Sequence, residues 1–262
     1  MFNFNQFMID CCKLIDKSKL LKLPTLHIAE TSPYCAVIFE TRKLPHMELI
    51  IRNTIYHLNS NWSLIVMTSS VNFDYYNRLS NDIDSKIKVI NMNLPEIISI
   101  DKYSLICMSL DFWNLIPSSK ILLVQSDSLV LNSNIDKFLK YDYIGAPWPS
   151  SWNICSNNCG NGGFSLRSKP KMIEIINQFD YSKTNIPEYV DKWMKSSGLE
   201  IIPEDVYFSI NMHKIKSILP STKIARNFSF EGIYFRSYNT IGCHQPIFTN
   251  SNQIERLLKL PS

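Results

Sequence analysis

What most constrains this chain is an alternation. Between Cys35 and Val124, short and mostly apolar runs take turns with stretches of helical periodicity. The runs are Cys35–Phe39, Leu64–Met67, Ile87–Ile90 and Ile121–Val124. Apolar residues in succession, closed by polar turn-formers, suit strands covered on both faces. Between the runs, Met47, Ile50, Ile51, Ile55 and Leu58 recur near helical spacing, and a helix is expected from about Asn72 to Leu79. Asp101–Ile116 reads as another helix, stopped by Pro117. Strand, helix, strand, helix, strand, helix, strand predicts parallel strands joined by crossover helices, hence an α/β fold.

Beyond Val124 the pattern changes. Ile135–Leu139 reads as a short helical turn, Tyr141–Gly145 and Phe164–Leu166 as strands, and Pro170–Phe179 and Pro203–Met212 as helices. Phe228–Glu231 reads as an edge strand and Ser251–Leu258 as a closing helix. Ala146–Asn158 is a long loop, and loops of that length are usually functional or disordered. At the other end, Asp10, Lys13, Asp16, Lys17 and Lys19 interrupt the apolar positions of Phe2–Leu23. That segment is therefore expected as an amphipathic helix on the main domain, neither a signal peptide nor a membrane span. No linker or repeat divides the chain. One domain over 1–262 is expected, with a helical extension at 1–33 and two subregions, 34–132 and 133–262.

Composition excludes several partners. Hydrophobic residues at 45% and charged residues at 19% are ordinary for a soluble globular protein. The net charge of +4 is spread without a dense Lys/Arg run, which argues against nucleic acid and suits a phosphate-bearing small molecule. Seven cysteines, an odd number with no C-x-x-C pair, point to a reducing, cytoplasmic setting. Cys155 and Cys159, in the polar loop, are where a disulfide or metal role is the alternative.

Four places carry the chemistry. Asp127 follows the apolar run Ile121–Val124 in V-Q-S-D-S, at the strand end where open α/β sheets bind ligands. It reads either as a polar turn residue or as a carboxylate for a divalent cation that bridges to phosphate. In extended chain Gln125 and Asp127 would share one face. Gly160, Gly162 and Gly163 crowd together in a chain with only seven glycines, which calls for a tight turn, positive φ or close approach of a ligand. Pro203-Glu204-Asp205 is an ordinary acidic helix start or the home of a general base, whose pKa the helix dipole would lower unless burial offsets it. His244 lies in G-C-H-Q-P, a loop bounded by glycine and proline, and reads as a surface histidine or a ligand. No G-x-S-x-G, phosphate-loop or dinucleotide fingerprint occurs, which weakens hydrolase, kinase and dehydrogenase readings.

Together and in order, V-I-F-E-T-R (37–42), F-W-N-L-I-P (112–117), V-Q-S-D-S (124–128), D-Y-I-G-A-P-W (142–148), G-N-G-G-F-S-L-R-S (160–168), P-E-D-V-Y-F-S (203–209) and G-C-H-Q-P (242–246) resemble one family. It is the glycosyltransferase-like domain family, first catalogued as a domain of unknown function, with members in bacteria, fungi and large DNA viruses. The resemblance implies a GT-A type fold, with a mixed, mostly parallel sheet flanked by helices. Residues 34–132 would be its nucleotide-binding half and 133–262 its acceptor half. It implies transfer of a sugar from a nucleotide-diphosphate sugar, UDP-sugar favoured, to a hydroxyl of a glycan, protein or small molecule. Mn²⁺ or Mg²⁺ would sit on Asp127 and His244, although Gln125 stands where the first acid of a D-x-D motif is expected. Thr41, Arg42, Gln125, Ser126, Asp127, Ser128, Asn161, Gly162 and Gly163 would meet the donor. Asp205 would be the base of an inverting displacement, with Glu204 its supporting neighbour, and Trp148 and Trp152 would contact sugar. The rival readings are a non-catalytic nucleotide-sugar or carbohydrate binder and a nucleotidyltransferase.

Overall fold

Neighbouring residues of the central strands feed two different cores. In the computed structural model, which describes residues 2–16, 28–233 and 239–247, Ala36, Ile38, Leu64, Val66, Leu122 and Val124 join one apolar cluster. Cys35, Val37, Ile65, Met67, Ile121 and Leu123 join the other. The period of two sends alternate side chains to opposite faces of a sheet. Both faces are buried, so the strands are apolar without a break.

The elements follow the predicted alternation. α1 (Phe4–Asp16) comes first, then β1 (Tyr34–Phe39), α2 (Met47–His57), β2 (Trp62–Thr68), α3 (Phe73–Ile83) and β3 (Lys88–Asn91). α4 (Ile100–Cys107), α5 (Leu110–Asn114) and β4 (Lys120–Val124) complete the first half. β5 (Ser128–Val130), β6 (Tyr143–Ile144), β7 (Phe164–Ser168) and α6 (Lys169–Gln178) open the second half. α7 (Glu188–Ser197), α8 (Glu204–Met212), α9 (Thr222–Phe228), β8 (Ser229–Ile233) and β9 (Gly242–Ile247) follow.

The main sheet has the order β3-β2-β1-β4-β7-β6. The first four strands are parallel, while β7 runs antiparallel to β4 and β6 antiparallel to β7. The chain steps outward from β1 to β3, then returns to the other side of β1 as β4. A crevice therefore opens between the carboxyl tips of β1 and β4, the topological switch point of such sheets. Val124 pairs with Phe164, so β7 begins where β4 ends and the segment before it enters at this crevice. A second sheet, β5-β9-β8, sets Ser128 opposite His244.

Several elements differ from expectation. The helix expected over Asp101–Ile116 is two, because the Ser109 side chain accepts the Phe112 N–H and caps a new start. Residues 242–246, read as a loop, form β9 in the middle of the small sheet. Its pairing with β5 covers only Gly242–His244, so Pro246 lies past that ladder, and on the β8 side it falls where the register shifts before Ile247. Gln125 and Asp127 are not extended neighbours on one face, because the Ser128 N–H bonds the Gln125 carbonyl and closes a turn. α7 and α9 were not foreseen. The closing helix over 251–258 and the stretch 17–23 lie outside the described residues. No helix among the described residues is long and apolar enough to cross a membrane.

Candidate functional site

A cavity of about 620 Å³ occupies the crevice, within the usual size of a small-ligand site. Its floor is tied together by a residue the sequence reading passed over, the buried Glu40 just after β1. Arg42 donates to it from Nε and Nη2, both at 2.8 Å, and the Ser126 hydroxyl donates to Oε2 at 2.7 Å. Glu40 thus joins the tips of β1 and β4. The Thr41 carbonyl accepts from Ser69 Oγ and Asn72 Nδ2, and His46 Nε2 lies 2.7 Å from the Ser126 carbonyl. Gln125 donates from Nε2 to the Tyr103 hydroxyl at 3.2 Å.

Asp127 and His244 meet beside Gly163. His244 Nε2 lies 3.3 Å from Asp127 Oδ1, and Nδ1 lies 3.5 Å from Glu231 Oε1. Gln245, which also lines the cavity, donates from Nε2 to Asp127 Oδ2 at 3.2 Å. Burial raises the Asp127 pKa, but the His244 charge beside it and the hydrogen bond from Gln245 outweigh it and hold the carboxyl below its usual range. Burial likewise opposes charge on His244, yet the Asp127 and Glu231 carboxylates push its pKa up to about 10. A Cβ on Gly163 would collide with the imidazole ring. Gly163 is glycine because His244 must lie flat against it.

Asp205 meets the neighbouring glycine. The Gly162 N–H donates to Asp205 Oδ2 at 2.9 Å and the Val206 N–H to Oδ1 at 2.8 Å. A Cβ on Gly162 would come within 2.6 Å of Glu204 Oε1 and 2.9 Å of Asp205 Cβ. The close approach expected at this cluster is therefore made by the protein's own side chains. Glu204 is buried and faces the fully buried Arg167 of β7, which donates from Nη1 to Oε2 at 2.5 Å and from Nη2 to Oε1 at 3.0 Å. Arg167 also lies over the Tyr143 ring, 4.9 Å from its centroid. Burial and the Glu204 charge raise the Asp205 pKa to about 7, against the lowering effect of Gly162, Arg167 and Val206. Burial thus wins over the helix start.

The remaining expected residues divide. Asn161 lines the cavity, donates to Glu231 Oε2 at 2.7 Å and accepts the Gly163 N–H. Ser128 is fully buried and its hydroxyl donates to the Gly163 carbonyl, so it supports the site from behind rather than meeting a donor. Trp148 is buried in the core and Trp152 stacks on Tyr189 with centroids 4.7 Å apart. Both border a side pocket of about 120 Å³ that shares Asn161, Trp193, Pro203 and Asp205 with the main cavity. Cys155 and Cys159 are free thiols, and burial raises the pKa of each.

The residues fit a divalent cation in part. Neither ring nitrogen of the buried His244 has an aligned hydrogen-bond partner, although two carboxylates stand within ion-pair distance. The 3.3 Å between Asp127 Oδ1 and His244 Nε2 is close to the ~3 Å between adjacent ligands of an octahedral Mg²⁺. A cation there must first displace the imidazolium proton. No group of three or more His, Cys, Asp or Glu among the described residues is placed to hold a metal ion. Further ligands would come from water or phosphate.

Among solved structures, the chain is similar to two of the glycosyltransferase GlyE from Streptococcus pneumoniae TIGR4. The apo form matches at 12% identity and a TM-score of 0.46, covering 84% of this chain and 55% of that one. The other matches at 11% identity and 0.42, covering 70% and 44%. The chain spans about half the length of these structures. No curated protein matches it by sequence. Residues 86–247 match the protein family of unknown function DUF5672, and the chain belongs to that family.

Proposed function

We propose that this chain transfers a sugar from a nucleotide-diphosphate sugar, UDP-sugar favoured, to a hydroxyl acceptor. The observation that carries the reading is the seating of two chemistries on consecutive glycines. His244, with Asp127 behind it, lies against Gly163, and Asp205 lies against Gly162. Asp127, His244 and Asp205 line the same cavity, so a group able to face a diphosphate and a group able to take a proton open on one space.

Asp205 is oriented by two backbone N–H groups, one on each oxygen, and each oxygen keeps a lone pair for an incoming hydroxyl. With a pKa near 7 it is matched to accept that proton at neutral pH. The hydroxyl oxygen then bonds the anomeric carbon as the bond to the diphosphate oxygen breaks, with inversion. Glu204 and Arg167 position Asp205 and touch no reacting atom. A Mn²⁺ or Mg²⁺ held by Asp127 and His244 would supply positive charge to the departing diphosphate. Thr41, Arg42, Gln125 and Ser126 of the 34–132 half would meet the nucleotide, and Asn161 the sugar. The side pocket under Trp152 would receive the acceptor, with Trp148 as its base.

Gln125, in the place of a second acid, favours one other reading, a non-catalytic binder on the same fold. Nucleotide sugars tested for hydrolysis and for thermal stabilisation, with and without Mn²⁺, separate the two. Hydrolysis of one donor supports the transferase. Stabilisation by a donor that is never hydrolysed supports the binder, and neither effect with any donor ends both.

A further inference from the structure

The cavity has a wall that the strand tips do not supply. Phe4, the first residue of α1, and Phe2 just before it line it together with Arg42 and Asp127. Phe4 carries the Arg42 guanidinium 5.2 Å from its ring centroid. The same ring meets His46 edge-on at 5.8 Å, and Phe7 meets His46 at 5.8 Å as well. His46 in turn contacts the carbonyl of Ser126, the residue before Asp127. The first turn of α1 is therefore fixed to the β1 tip through Arg42 and to the β4 tip through His46. Phe7, Cys11 and Leu14 bury the rest of the helix in the core. Phe2, Phe4, Phe7, Arg42 and His46 all lie outside residues 86–247, the part matched by the family.

Phe7 packs inward, as helix amphipathicity requires, but Phe2 and Phe4 remain half-buried on an aqueous cavity. Two aromatic rings beside a planar cation offer stacking faces, while the polar groups farther along, Ser126 and Asp127, offer none. A planar heterocycle with a polar edge, tethered to a diphosphate, fits that sequence of surfaces. We propose that the first turn of α1 belongs to the donor site, with Phe4, backed by Phe2 and Arg42, as the platform on which the nucleobase stacks. The inference rests on reading the cavity as a nucleotide-sugar site.

Calorimetry with UDP, GDP and inorganic pyrophosphate, each with Mn²⁺, tests it on the wild type, Phe4→Ser and Phe4→Trp, with thermal melts of all three. A stacked base contributes roughly 5- to 100-fold in affinity. Phe4→Ser should lose that factor for the nucleoside diphosphate that binds, keep pyrophosphate affinity within about twofold, and Phe4→Trp should match or exceed the wild type. Equal nucleotide affinity in Phe4→Ser, or equal loss for nucleotide and pyrophosphate, overturns the platform and leaves the donor site standing. If pyrophosphate binds neither protein, Phe4→Trp decides, and weakened nucleotide binding overturns the platform. A wild type that binds no nucleoside diphosphate overturns the donor site itself.

Discussion

Asp127, at the tip of β4, and Asp205, in the first turn of α8, line one cavity and meet opposite electrostatics. Burial opposes the charge on both. At Asp127 the imidazole of His244 and the amide of Gln245 more than offset it, and the carboxyl stays ionised well below neutral pH. At Asp205 the nearest cation, Arg167, is already held by Glu204 through two hydrogen bonds, so the neighbouring acid adds repulsion to desolvation. What separates the two is the ownership of the nearby positive charge rather than the depth of burial. A carboxylate permanently ionised suits a cation or a positive partner, and one that titrates near 7 suits proton transfer.

The largest expected effect follows from that assignment. Asp205→Asn keeps an oxygen for one of the two backbone N–H groups but cannot take a proton. Transfer should fall by about 10²–10⁴-fold, the usual worth of a general base, with UDP affinity changed no more than about threefold. In the wild type kcat/KM should drop tenfold per pH unit below about 7, the pKa of Asp205, and that limb should be missing from the residual activity of the variant. Near-normal turnover of the variant would remove Asp205 from the reaction.

Arg167→Met attacks the comparison from behind. It leaves Glu204 buried without its cation, which costs about 3–5 kcal/mol, measurable by urea unfolding. The double variant with Glu204→Gln should recover much of that, because no unpaired charge remains. Arg167 also lowers the Asp205 pKa, so Arg167→Met should move the acid limb of the rate profile to higher pH. A limb that stays in place would separate the ion pair from Asp205.

How much of this could be read in advance depends on which residues are asked. β1 to β4 were legible because strands buried on both faces are apolar in succession and stand out between helical periods. β9 was not, since Gly242 and Pro246 are loop residues by every local rule, and only pairing with β5 and β8 makes a strand of them. The same pairing turns His244 from a surface histidine into a buried one. The glycine cluster was legible as a constraint but not as to its cause. Of its three members only Gly160 has a positive φ, 129°, while Gly162 and Gly163 make room for Glu204, Asp205 and His244. Arg167 carried a signal that went unused, since an arginine inside F-S-L-R-S must find a partner if the strand is buried. That its partner is Glu204, on a helix 37 residues away, is a property of the fold.

The smallest effect is on stability, and it sharpens the comparison most cleanly. An unfolded Asp205 titrates near the ordinary value of about 3.9, and the folded one at about 7. Between those values the folded state binds more protons than the unfolded one, so this group's contribution to stability is full below about pH 4 and declines as pH rises through 7. Asp205→Asn removes the decline. Because the carboxyl opens to the cavity and is partly screened, the gain at pH 8 should be about 1–2 kcal/mol rather than the full linkage value. For a chain of this size that is about 2–4 °C in Tm. At pH 4 the wild type and the variant should melt together. A variant that melts below the wild type at pH 8 would mean that the hydrogen bonds from Gly162 and Val206 stabilise the charged form more than desolvation opposes it, and the contrast with Asp127 would collapse.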